Sequence, residues 1–171
     1  LEIVHNNFLN SSPKMLKDEV SKTFKIIDIK DNLHPLNLQS IVGLDVNINC
    51  DLFSEIWFED GLKKYYGIAF KNDSGGYEIR SKYMNICLLK KDITTIKNGG
   101  KKLLVFQDYT ELLTYKFLFE TNESEPSDYL ILNSNSMIKK IKNEVVNYNK
   151  IIVYFDNTEA GDFATEQVKK F

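Results

Sequence analysis

The spacing of hydrophobic positions changes twice along the chain. In the first thirty residues polarity is mixed. Ser12-Pro13 precedes residues 14–20 and carries a helix-start signal, a Ser cap with Pro at the first helical position. Residues 24–29 partly alternate, as a short strand does. His34-Pro35 then opens a segment in which Leu38, Ile41 and Val42 share one helical face and Gly43 fits the stop, predicting a helix near 36–44. Beyond it the period shortens. Residues 54–58 and 64–70 read as strands, 71–76 as a turn whose Gly75 and Gly76 tolerate positive φ, and 77–83 as the return strand, a hairpin near 64–83.

From Lys101 strands and helices alternate. Residues 102–106 form a short continuous apolar run, the mark of a strand buried on both faces. A helix over 109–120 follows, with Leu112, Leu113 and Phe117 as its apolar positions. The pattern repeats as strand 129–132 and helix 137–146, then as strand 150–155 and helix 159–171. Three βα units in a row predict a parallel sheet flanked by helices. The expected fold class is therefore α/β: an N-terminal α+β region over 1–100 with a β-hairpin, then a βαβαβα region over 101–171.

Composition narrows the class. Hydrophobic residues make up 43% and charged residues 27% of 171, which excludes a disordered chain and allows a sizeable core. No apolar run approaches the roughly 18 residues of a membrane span, so no membrane partner is expected. Cys50 and Cys87 are isolated on apolar stretches and read as buried reduced thiols, which points to the cytoplasm. His5 and His34 have no partner at metal-ligand spacing, so no zinc is expected, and no motif calls for an organic cofactor. The chain begins at Leu1 without a signal peptide, and a piece of a longer protein is the expectation.

Net charge is only −2, but it is unevenly distributed. Residues 61–102 carry ten basic and three acidic side chains, so this segment is positive while its flanks are acidic. Lys63, Lys64, Arg80, Lys82, Lys90 and Lys91 are the candidates for contact with nucleic-acid phosphates. A solvated lysine face is the plainer reading. The interleaved aromatics suit either base stacking or cross-strand packing.

Ligands of open α/β sheets bind beyond the carboxyl ends of the strands. Three polar segments fall there: residues 107–111, 133–136 and 156–161. Asp, Asn, Ser and Thr at such positions also serve simply as helix N-caps, and Asp156 and Thr158 suit that role.

Val105-Phe106-Gln107-Asp108-Tyr109-Thr110-Glu111 resembles the first Toprim motif of bacterial primases, an apolar strand leading into Glu-Gly-Phe/Tyr-x-Asp. Tyr154-Phe155-Asp156-Asn157-Thr158-Glu159-Ala160-Gly161 resembles the second, Asp-x-Asp-x-Ala-Gly. Leu132 to Ser136, the segment 70–80, residues 91–94 and the stretch around His34-Pro35-Leu36 resemble parts of the primase-like branch found on bacterial mobile elements. The likeness runs from about residue 30 to the end, and its motifs stand in order, roughly fifty residues apart. It implies a Toprim-like parallel sheet, shortened at its end. It also implies Mg²⁺ or Mn²⁺ as cofactor, DNA (single-stranded or primed) as partner, and replication or transfer proteins alongside. By position, the catalytic candidates are Gln107, Glu111, Asp156 and Thr158, and the metal-ligand candidates Asp156, Glu111, Asp108 and Glu159. The chain departs from the pattern where charge matters most. Gln107 stands where the family has Glu, and Thr158 where it has the second Asp. Mg²⁺ prefers carboxylate oxygens, so each loss weakens a metal site. Three readings follow: a DNA-associated primase-like protein with its metal site partly lost, an active metal-dependent nucleotidyl transferase or nuclease, or a non-catalytic interaction module.

Overall fold

The computed structural model describes residues 23–31, 34, 37, 41, 50–119 and 125–171. The helix expected from Pro13 and His5 lie outside the described residues, as does most of the segment near 36–44, of which Asn37 and Ile41 are helical. Two sheets organise the rest. The first holds β1 (Lys25–Asp31), β2 (Phe53–Glu59), β3 (Lys64–Lys71), β4 (Tyr77–Ser81) and β5 (Asn85–Leu88), each antiparallel to the next in chain order. A single 3-10 turn, Cys50–Leu52, leads into β2.

Local chemistry sets the turns of this meander. Asp60 accepts from the backbone N–H groups of Leu62 (3.1 Å) and Lys63 (2.9 Å), and Gly61 between them takes φ 86. At the next turn the buried Asn72 accepts from the N–H groups of Ser74 (3.2 Å) and Gly76 (2.8 Å), closing the hairpin around Gly75. Alternation then divides the faces. Ile56, Phe58, Ala69, Ile79 and Leu88 form one cluster. Phe53, Ile68 and Phe70 face the other way, into the second sheet's core.

The second sheet holds β6 (Thr94–Ile96), β8 (Ser127–Ile131), β7 (Lys102–Phe106) and β9 (Lys150–Tyr154), in that spatial order. β7, β8 and β9 are parallel and β6 runs antiparallel to β8. The parallel strands expected from the βα repeats are thus present. β6, however, comes from before residue 101, and neither it nor β5 is legible in the sequence. Each is too short to show a period. Helix α1 (Tyr109–Phe119) covers the face of Leu104, Phe106, Ile131 and Ile152. Helices α2 (Lys142–Val145) and α3 (Glu159–Lys169) cover the opposite face of Leu103, Val105, Leu130 and Val153. The expected α-helix over 137–146 is a 3-10 helix, Asn135–Ile141, that only becomes α at Lys142. Its N-cap Ser134 makes no side-chain cap bond. Cys87 is a free thiol, only half-buried rather than enclosed. Among the described residues no helix is long and apolar enough to cross a membrane.

Two features join the sheets. Tyr109 at the start of α1 packs its ring against Phe53 (6.1 Å between centroids) and Phe70 (5.9 Å) of the meander. Asp92 is the polar counterpart. Its carboxylate accepts from Lys140 on the helical layer (2.7 Å), from Ser74 in the hairpin turn and from the N–H of Ile93 (2.9 Å). Beside it, Asp73 accepts from the N–H of Thr95 (2.9 Å), tying the hairpin turn to β6.

The Lys140 and Ser74 hydrogen bonds hold the Asp92 carboxyl down to about 2. A depressed carboxyl pKa contributes stability that is present above the unfolded value near 3.8 and lost as pH falls through about 2. With Lys140 half-exposed, the contribution is on the order of 1–2 kcal/mol after solvent screening. Asp92→Asn should lower stability at pH 7 by about that amount, and urea titrations at pH 7 and pH 3 should differ less for the variant than for the wild type.

Candidate functional site

β7 lies between β8 and β9 and pairs in parallel with both. The chain leaves β7 toward β8 over one face and reaches β9 over the other. The carboxyl ends of β7 and β9 therefore flank a topological switch point. The register Phe106↔Tyr154 sets Gln107 beside the start of the 156–161 segment.

The Gln107 amide engages Asp156 with both ends. Its Oε1 accepts from the Asp156 backbone N–H (3.1 Å), and its Nε2 makes a long contact to Asp156 Oδ2 (3.5 Å). A Glu at 107 would bring a second negative charge to that contact and could not donate to it when ionised. The neutral amide makes the pairing work.

Asp108 and Glu111 form a reciprocal N-terminal cap of α1. The Asp108 carboxylate accepts from the Thr110 N–H (2.7 Å) and hydroxyl, and Glu111 Oε2 accepts from the Asp108 N–H (2.6 Å). Burial first, then the negative charges of Asp108 and Asp156, push the Glu111 carboxyl up to about 9 against the opposing pull of the Asp108 N–H. The raised value favours the protonated carboxyl at neutral pH.

Thr158 is the N-cap of α3. Its hydroxyl accepts from the Gly161 N–H (3.2 Å). Gly161 is required by close approach, because a Cβ there would lie 1.9 Å from the Asp156 carbonyl oxygen. Glu159 stands exposed in the first turn of α3, where an acid suits the helix dipole. It has no hydrogen bond or ion pair to a described residue. The middle segment supplies Asn133, at φ 59, whose amide donates to the Asp92 carbonyl (2.8 Å) and to Thr94 Oγ1 (2.9 Å).

Of the sequence candidates, then, Gln107, Asp108, Glu111 and Asp156 come together, while Thr158 caps and Glu159 stays apart. Gln107 is neutral, and the oxygens of Asp108 and Thr158 already accept from helix amides. Among the described residues no three His, Cys, Asp or Glu side chains form a set able to hold a metal ion. The role of Gly161 was missed in the sequence, although its place after Ala160 within the second motif was the available signal.

The basic candidates separate into groups. Lys63 and Lys64 open β3, and Lys82 follows the end of β4; antiparallel pairing sets these three at one end of the meander. Lys90 and Lys91 follow β5 at the opposite end, a strand length or roughly 23 Å away at ~3.3 Å per residue. Arg80 sits on β4 between them, on the same face as Ile68, opposite Asn85. All but Arg80 are exposed.

A family model described as a domain of unknown function (DUF8464) matches residues 43–89, a span that includes β2 to β5 of the meander. No curated protein and no solved structure matches the chain.

A carboxyl whose pKa is raised in the folded state contributes stability that is full below its unfolded value and is lost as pH rises through the folded value. For Glu111 that window runs from 4.5 to about 9. Glu111→Gln keeps a cap acceptor but no longer titrates. Wild-type stability should fall by roughly 2 kcal/mol between pH 5 and pH 8, and the variant should flatten that slope in urea titrations.

Proposed function

We propose that the chain is a primase-like Toprim protein, DNA-associated in the replication or transfer of a mobile element. In this reading its strand-end site has exchanged metal chemistry for an amide- and proton-linked cluster. The observation that carries the proposal is the pairing of Gln107 with Asp156 across the parallel strands β7 and β9. The two motif positions meet at the switch point, where an α/β sheet binds its ligand. The amide at 107 leaves Asp156 with a partner already in place of a cation. DNA association rests on the exposed lysines of the meander, which suit non-specific contact with phosphates.

A rival reading keeps an active Mg²⁺- or Mn²⁺-dependent nucleotidyl transferase or nuclease on Asp108, Glu111, Asp156 and Glu159. A further reading, an interaction module, draws on the exposed apolar side chains Phe117 (50% accessible) and Leu118 (45%) near the end of α1.

Fluorescence anisotropy with a labelled single-stranded oligonucleotide separates these. Binding at micromolar protein should weaken steeply between about 50 and 200 mM salt. The triple change Lys63→Gln, Lys64→Gln, Lys82→Gln should weaken it several-fold and shallow the salt slope by about 2–3. Binding that is absent or insensitive to salt would rule the proposal out. Titration calorimetry with Mn²⁺ should give no saturable heat at this site, whereas saturable binding abolished by Asp156→Ala would favour the metal-dependent enzyme.

A further inference from the structure

Between the inward face of β4 and β5 and the start of α1 lies a cleft of about 160 Å³. It is far larger than the ~10–15 Å³ that admits one water. Arg80, Glu78 and Lys91 line it from the meander side, and Asp108, Tyr109 and Asn133 from the second sheet. Two of these residues keep a buried polar atom with no hydrogen-bond partner, the Tyr109 hydroxyl and Asn133 Oδ1. Tyr109 is 7% exposed. Its ring contacts with Phe53 and Phe70 need no hydroxyl, so a Phe would pack equally well there. Folding alone gains nothing from either orphaned atom, and burying it unpaired is costly.

The charges of the cleft are unequal in their commitments. Asp108 accepts from Thr110 and belongs to the α1 cap. Glu78 is buried and faces the Asn72 amide, and burial raises its pKa. Arg80 and Lys91 form no ion pair or hydrogen bond with a described residue. Lys91 acts through space on Glu78, and Arg80 on the Tyr109 hydroxyl, but neither cation is held in a salt bridge, and both share the cleft with Tyr109 and Asn133.

We propose that this cleft binds a phosphate monoester without metal. Arg80 and Lys91 supply the charge, the Tyr109 hydroxyl donates to a phosphate oxygen, and Asn133 Oδ1 accepts from a hydroxyl of the ligand. Such an ester offers several acceptor oxygens together with a hydroxyl, the complement of what the walls leave unpaired. The proposal does not rest on the DNA reading. Loss of salt-sensitive oligonucleotide binding with phosphate binding intact ends that reading alone, and the converse result ends this one alone.

The test is a thermal-shift and calorimetric titration of the full chain at fixed ionic strength. Probes are inorganic phosphate, glycerol 3-phosphate, acetate, and a dinucleotide with either a 5′-phosphate or a 5′-hydroxyl. Saturable binding of glycerol 3-phosphate or the 5′-phosphorylated dinucleotide is expected below about 10 mM, and which of them binds tighter identifies a free small molecule or a strand end as the source. Lys91→Gln and Arg80→Gln should each weaken it about tenfold, and Tyr109→Phe about threefold at unchanged fold. Lys91 is exposed after β5, so its variant reads out binding even if Arg80→Gln fails to fold. No saturable response, equal binding of acetate or of the 5′-hydroxyl dinucleotide, or undiminished affinity in Lys91→Gln would overturn the proposal.

Discussion

A strand held between two parallel neighbours is covered on both faces and must be apolar throughout. β7 meets that condition from Leu103 onward, with Leu103 and Val105 facing α2 and α3, and Leu104 and Phe106 facing α1. Much follows from its central position. It sends the chain first to one side and then to the other, so its carboxyl end emerges beside that of β9. Polar groups cannot be buried in either apolar layer without partners, so they gather at this end. Gln107 and Asp156 are neighbours for that reason, although 49 residues separate them in the chain.

The same end of the sheet also begins two helices, and each needs its orphan N–H groups satisfied. Asp108 and Glu111 serve α1, and Thr158 serves α3. A carboxylate that accepts from helix amides has fewer lone pairs to offer a cation. Burial, then the charges of Asp108 and Asp156, raises the Glu111 carboxyl. Gln107 meets Asp156 as a neutral acceptor and a long-range donor. Several residues that recommend a metal in a linear motif thus also cap helices in three dimensions.

The meander and the parallel sheet meet through a shared apolar core and a set of polar ties, of which two stand at the strand ends. The Tyr109 ring lies against Phe53 and Phe70, while Asp92 gathers Ser74, Lys140 and the Ile93 amide. Both lie close to the strand ends. The hairpin turn at Asn72 to Gly76 is consequently part of the site's frame. A Cβ at Gly76 would stand 1.9 Å from the Lys90 carbonyl oxygen, so the turn closes tightly on the segment that carries Lys91.

Period and composition by themselves determined the βα alternation after residue 100, the hairpin and the extent of β7, because a buried strand, a helix face and a Gly turn each leave a local signature. They also located the polar strand ends; it was the motif resemblance that singled out Gln107, Asp108, Glu111, Asp156, Thr158 and Glu159 there. Short elements escaped, since three or four residues show no period: β5 and β6 exist through the hydrogen bonds their neighbours supply. The winding of 135–141 escaped because 3-10 and α turns share nearly the same side-chain pattern over so short a stretch. Tertiary structure alone decided which strand-end oxygens face one another, which are taken by helix amides, how far burial raises the Glu111 carboxyl, and that Arg80 and Lys91 share a cleft with Tyr109. Those outcomes depend on distance and burial across the fold, and a linear pattern carries neither.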